Sequence, residues 1–127
     1  MNNWQAKVGA FHRKFGQPIN TSGVPSFSRT PLRISLINEE CNKELIPAMI
    51  REDMAETVDA MCDLIYVVLG TALELGIDLE PFFNAVHDSN MAKEGGPTRE
   101  DGKILKPAGW TPPPIAEMLN CGAGLIK

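Results

Sequence analysis

The chain has 127 residues, with 12 basic and 16 acidic side chains and a formal net charge of −4. That length fits one domain with a thin core, and the charge balance leaves no basic surface for a nucleic-acid polymer. No apolar run is long enough for a membrane span. The opening Met1-Asn2-Asn3-Trp4-Gln5 has no basic segment followed by an apolar one, so a soluble, cytoplasmic protein is expected. The three cysteines, Cys41, Cys62 and Cys121, have no metal-site spacing. Cys41 and Cys62 fall in helical patterns and read as small core residues in a reducing compartment.

In chain order, Trp4, Val8, Phe11 and Phe15 recur at helical spacing over residues 3–15, and Gly16 is a stop. Residues 17–30 carry Pro, Gly and Ser and read as loop. Thr30-Pro31 reads as an N-cap followed by Pro at the first helical position. The second helix is predicted from Pro31 to about Arg51, with Leu32, Ile34, Leu36, Ile37, Leu45, Ile46 and Met49 as its apolar positions. Pro47 removes one backbone donor and predicts a distortion just past Glu44.

Asp53, three residues before Glu56, predicts a capped start for a third helix that runs to Leu75 and ends at Gly76. Gly70, inside it, marks a close approach between helices. A fourth helix is expected to be capped by Asp78, to carry Pro81 in its first turn, to face Phe82, Phe83, Val86 and Met91 to the core, and to stop at Gly95-Gly96-Pro97. Half of the ten prolines lie beyond residue 95, so that stretch reads as an extended arm with Trp110 as its anchor. Residues 115–120 suit one or two helical turns, and no convincing strand is visible.

Acidic residues concentrate on the second and third helices. Glu40 and Glu44 share one face, and Glu56, Asp59 and Asp63 share another. Two like charges ~5 Å apart cost roughly 3 kcal/mol at an effective dielectric of 20. The apolar run Leu64–Leu69 predicts that this helix is half buried, where such a cost needs a cation. An all-oxygen donor set suits a hard divalent ion, Mg²⁺ first, with Mn²⁺ able to substitute.

Three segments then define a resemblance. They are Asp63-Leu64-Ile65-Tyr66-Val67-Val68-Leu69-Gly70-Thr71-Ala72, the run Gly76-Ile77-Asp78, and Val86-His87-Asp88-Ser89-Asn90-Met91-Ala92-Lys93. With Asp101–Pro107 and Gly109–Pro113, they resemble the MazG-like nucleotide pyrophosphohydrolases, in the branch related to phosphoribosyl-ATP pyrophosphohydrolase. The resemblance implies an all-α fold of four to five helices, assembled as a homodimer or homotetramer. It also implies Mg²⁺-dependent hydrolysis of a (deoxy)nucleoside triphosphate to the monophosphate and pyrophosphate, in nucleotide-pool cleansing or dNTP control.

The family's metals are held by an E-x-x-E pair and an E-x-x-D pair. Here Glu40 stands four residues before Glu44, and Asp59 four before Asp63, while Glu56-x-x-Asp59 fits the second pattern one turn early. The implied ligands are therefore Glu40, Glu44, Glu56, Asp59 and Asp63, with Glu40 or Glu39 as the base. Asn90, Lys93, Lys103 and Lys106 are the implied substrate contacts. His87 reads as structural, and Trp110 as a packing anchor. Two alternatives stand beside the triphosphate reading. One is phosphoribosyl-ATP hydrolysis, and the other is a helical protein with weakened catalysis that binds nucleotide or a partner.

Overall fold

A computed structural model describes all 127 residues. The chain is helical: α1 (Asn3–Lys14), α2 (Thr30–Asn38), a π-helical segment (Glu39–Leu45), α3 (Ile46–Ile50), α4 (Met54–Leu75), α5 (Glu80–Met91) and α6 (Ile115–Asn120). It has no strands, only the isolated bridges Ile77–Leu125 and Thr98–Ile104. The residues form two compact units, Met1–Leu79 with Leu125–Lys127, and Glu80–Gly124.

In the first unit, α1 is capped by the Asn2 side chain, which accepts from the Gln5 N–H at 2.8 Å. The side chain of Asp53 accepts from the Glu56 N–H at 3.1 Å and caps α4 as expected, and left-handed Gly76 ends that helix. The second helix begins at Thr30 itself, so Arg29 rather than Thr30 takes the cap position. Val8, Leu69 and Leu73 form the core, with Ile19, Leu79 and Ile126 packed on it. Residues 125–127 return to this unit. The Ile126 N–H donates to the Gly76 carbonyl, and the Ile126 carbonyl accepts from Gly23, each at 3.0 Å.

The buried faces differ from those the apolar periodicity predicts. On α1 the buried residues are Gln5, Val8, Gly9 and His12, whereas Trp4, Phe11 and Phe15 are exposed. Gln5 is buried because both ends of its amide are used: Nε2 donates to the Ile77 carbonyl at 2.8 Å, and Oε1 accepts from the Leu79 N–H at 3.0 Å. Along Thr30–Ile50, Arg33 and Ala48 are buried, while Leu32, Ile34, Ile46 and Met49 are exposed. Cys62 is exposed and Cys41 half-buried, so neither is a core residue. The run Leu64–Val68 is only partly covered within one chain, and full burial begins at Leu69.

Arg33 ties α2 to α4. Its Nε donates to Thr71 Oγ1 at 3.0 Å, Nη1 to Glu74 Oε2 at 2.7 Å and Nη2 to the Val67 carbonyl at 2.8 Å. Arg29 forks onto the same Glu74 carboxylate at 2.8 and 2.9 Å. Gly70 leaves room for this: a Cβ there would stand 2.8 Å from Arg33 Nη2 and 2.9 Å from His12 Nε2. The expected close approach at Gly70 is thus made by side chains of α1 and α2.

In the second unit, α5 carries Pro81 in its first turn and buries Phe82. Phe83, Val86 and Met91 are exposed rather than core-facing. Residues expected as an extended arm turn back on themselves at the Thr98–Ile104 bridge. Trp110 is half-buried and anchors the segment, its indole N–H donating to the Ser89 carbonyl at 2.7 Å.

Candidate functional site

The π-helical segment packs along α4, which sets Glu40 and Glu44 against Asp59 and Asp63. Burial and then the charges of Asp63, Glu44, Glu39 and Asp59 push the Glu40 carboxyl above its usual range. Burial, Asp59 and Glu44 do the same to Asp63. No basic side chain forms an ion pair with this cluster; the ion pairs of Arg29 and Arg33 go to Glu74. Glu39 is one of the charges that raise Glu40. Glu40, Glu44, Asp59 and Asp63 thus lie close enough to feel one another's charge, and Glu56 lies in the capped first turn of α4.

No three of these carboxylates converge tightly enough to enclose an ion by themselves. Mg²⁺ keeps several waters and is usually held by one or two carboxylates together with substrate phosphates. Glu40 and Asp63, backed by Glu44 and Asp59, fit that mode in donor type and in uncompensated charge.

The spacing of Glu40 and Glu44 falls inside the wide turn. The Ile46 N–H donates to the Cys41 carbonyl, five residues back. Pro47 has no N–H, and its ring excludes the carbonyl of the preceding turn, which favours a wide turn just before it. An i→i+5 turn absorbs an additional residue without breaking the helix, and such turns recur at functional sites. The distortion predicted at Pro47 is thus a local widening.

Glu40 and Asp63 line one cleft of about 250 Å³ whose other walls are Phe11, His12, Arg33, Leu36, Tyr66 and Val67. The Phe11 and Tyr66 rings meet edge to face at 5.6 Å. His12 is buried, and its Nδ1 lies 2.9 Å from the Pro18 carbonyl. A carbonyl only accepts, so Nδ1 carries the proton. Sequence reasoning passed over Phe11, His12, Arg33 and Tyr66 as site residues. Arg33 and Tyr66 stand one or two turns from the acids in sequence, whereas Phe11 and His12 lie on α1, and nothing in the sequence says that α1 meets these helices.

Of the implied substrate contacts, all in the second unit, Asn90, Lys103 and Lys106 are exposed and Lys93 is half-exposed. The ammonium groups of Lys93 and Lys106 lie 5.3 and 4.8 Å from the Trp110 ring centroid. Lys103 is not drawn into this group; its backbone N–H donates to Asp101 at 3.2 Å. His87 is exposed.

An all-helical chain with carboxylates facing each other from consecutive helices defines the class. The pattern of the family described as phosphoribosyl-ATP pyrophosphohydrolase matches residues 8–90, and the chain belongs to that family, within the MazG-like all-α superfamily. The chain is also 41% identical over 83 residues to the uncharacterised protein L479 of Acanthamoeba polyphaga mimivirus. That match covers 61% of this chain and 32% of the viral protein, so the chain spans well under half of that relative's length. No helix is long and apolar enough to cross a membrane.

Proposed function

We propose that this protein hydrolyses a nucleoside triphosphate to the monophosphate and pyrophosphate with Mg²⁺, or Mn²⁺ in its place, as a cytoplasmic enzyme of the nucleotide pool. One observation carries the reading: in a member of this family, an uncompensated carboxylate cluster opens onto a cleft with an aromatic wall. Phe11 and Tyr66 give it aromatic walls, and His12 and Arg33 also line it. Glu40, with its raised proton affinity, is the base for the attacking water, with Glu39 beside it as the alternative. Asp63, with Asp59 and Glu44 near it, would hold the cation through one or two carboxylates together with substrate phosphates, and the bound ion would neutralise charge on the attacked phosphorus and on the leaving pyrophosphate. Asn90, Lys93, Lys103 and Lys106, all of the second unit, carry donors suited to sugar and phosphate oxygens.

A second substrate, phosphoribosyl-ATP, is favoured by the description of the matched family. Both readings share the carboxylates and differ in what enters the cleft.

Self-association completes the proposal. Met54, Val58, Met61, Ile65 and Val68 repeat at alternating steps of four and three along α4, and all five are exposed. That is the spacing of a helix–helix seam, so a homodimer or homotetramer pairs α4 with a second copy.

The decisive assay follows pyrophosphate release from a panel of (deoxy)nucleoside triphosphates and from phosphoribosyl-ATP. At least one is turned over with Mg²⁺ and none in EDTA. Asp63→Ala abolishes turnover, and Glu40→Gln slows it by roughly 10²-fold or more. Turnover that survives EDTA overturns the metal chemistry. Tight binding of a nucleotide with no turnover supports the non-catalytic binding protein instead.

A further inference from the structure

A second cavity of the first unit, about 410 Å³, is larger than the acidic cleft and separate from it. It lies along another face of α1, where Ala6, Gly9 and Arg13 recur at steps of three and four residues. Ile19, Leu73 and Ile126 supply the rest of its apolar wall, and all three belong to the packing around the core. Phe11 and His12 of the same helix line the acidic cleft instead, and the two cavities have no lining residue in common.

Backbone bonds fix the frame of this cavity. The Gln17 N–H donates to the His12 carbonyl at 2.8 Å, the Asn20 N–H to the Leu73 carbonyl at 2.9 Å and the Gly23 N–H to the Ile126 carbonyl at 3.0 Å. The loop after α1 is thus tied to α1, to α4 and to the returning tail, so little ordering opposes the entry of a ligand. Gly9 keeps the α1 wall open by adding no side chain to it.

Two polar side chains line the same space. The Arg13 guanidinium folds back along its helix, so that a Cβ on Gly9 would stand 3.4 Å from Nη1 and 3.8 Å from Nη2. No carboxylate pairs with it: Glu74 is taken by Arg29 and Arg33, and Asp78 pairs with the ammonium of Met1. Gln17 accepts from Arg29 Nη2 at 2.9 Å through its Oε1, which leaves its Nε2 as a donor. A cavity of this volume, mostly apolar with a few placed polar groups, is the usual form of a small-molecule site. One guanidinium offers a carboxylate two parallel N–H donors. A single cation in a chain of net charge −4 suits a singly charged head better than a polyanion, and the apolar wall suits a hydrocarbon body.

We propose that this cavity binds a small apolar monoanion, with its hydrocarbon body against Ile19, Leu73 and Ile126 and its carboxylate on Arg13 beside the Gln17 amide. The site goes beyond the hydrolase reading and requires neither the metal nor the acidic cluster.

Octanoate is the probe, titrated calorimetrically into the full-length protein in EDTA, with octanol and acetate as its two halves. Octanoate should bind once per chain, octanol at least tenfold more weakly, and acetate not at all. Arg13→Gln should lower the octanoate affinity about tenfold and leave that for octanol unchanged. Gly9→Leu fills the cavity from a helix that favours leucine over glycine, and should remove both. Asp63→Ala should change neither, so a failed hydrolase reading leaves this site standing. Arg13→Gln lies at an exposed position and decides the case even if Gly9→Leu fails to fold. Octanol binding as tightly as octanoate, or octanoate binding equally to the parent and to Arg13→Gln, overturns the site. No binding of octanoate overturns it too, and a drop in sedimenting mass in Gly9→Leu would then assign the cavity to a second copy of the chain.

Discussion

Glu74 is 3% exposed and meets two guanidinium groups. Burial alone would raise its carboxyl, but the hydrogen bond from Arg29 and the charges of Arg33, Arg29 and His12 outweigh it and hold the group below its ordinary value of 4.5. A depressed folded value stabilises the fold above the unfolded value, and that stability is lost as pH falls through the folded one. Glu74→Gln should therefore cost about 3–5 kcal/mol at neutral pH, because it strands two partly buried cations. The gap from the parent should narrow below pH 4.5 in urea denaturation series run at both pH values. Nothing in the sequence singled out this residue. Glu74 reads as a polar position near the end of an apolar helix, and its partners stand 45 and 41 residues away. Asp63 was legible for the opposite reason, since its neighbours in charge lie one turn away on the same helix or on the helix just before it.

The second helix shows what helical spacing can and cannot say. Its start to within one residue, its end and its disturbance at Pro47 were readable from local backbone chemistry. The buried face was not, because Arg33 is buried by partners on α4 and Ala48 by packing, whereas periodicity counts only apolar side chains. The same failure occurs on α1, where Gln5 and His12 go inside through bonds to Ile77 and Pro18. The wide turn gives this helix its own test. Pro47→Ala restores a backbone donor and removes a ring clash, a change worth up to ~3 kcal/mol in a helix interior. The turn should then tighten toward ordinary α geometry. The expected result is a protein that melts higher yet loses several-fold in Mn²⁺ affinity and turnover, as Glu40 and Glu44 rotate against Asp63. Equal metal affinity in the two proteins would show that the turn does not position the carboxylates.

At the scale of the whole molecule, much apolar surface remains outside. The stripe Met54, Val58, Met61, Ile65 and Val68 ranges from 75% to 40% exposed. A contiguous stripe of that kind on a small protein marks an interface. Sedimentation should therefore give a mass of at least two chains, and Ile65→Glu should shift it to one. The composition change near residue 95 was visible in the sequence, but the compact units divide at residue 80, because the bonds of Trp110 and Thr111 to Ser89 tie the proline-rich stretch back to α5. Composition reports where regular helix ends, whereas long-range bonds decide what packs with what.

The return of Leu125 to Ile77 gives the chain an inserted topology. The second unit leaves the first at Leu79 and is sewn back two residues before Ile77's own helix-end neighbour Gly76 accepts Ile126. Such a cassette has its entry and exit side by side, which is the arrangement that tolerates exchange for a foreign module or a short linker. An exchange of that kind would leave the carboxylate-bearing helices untouched.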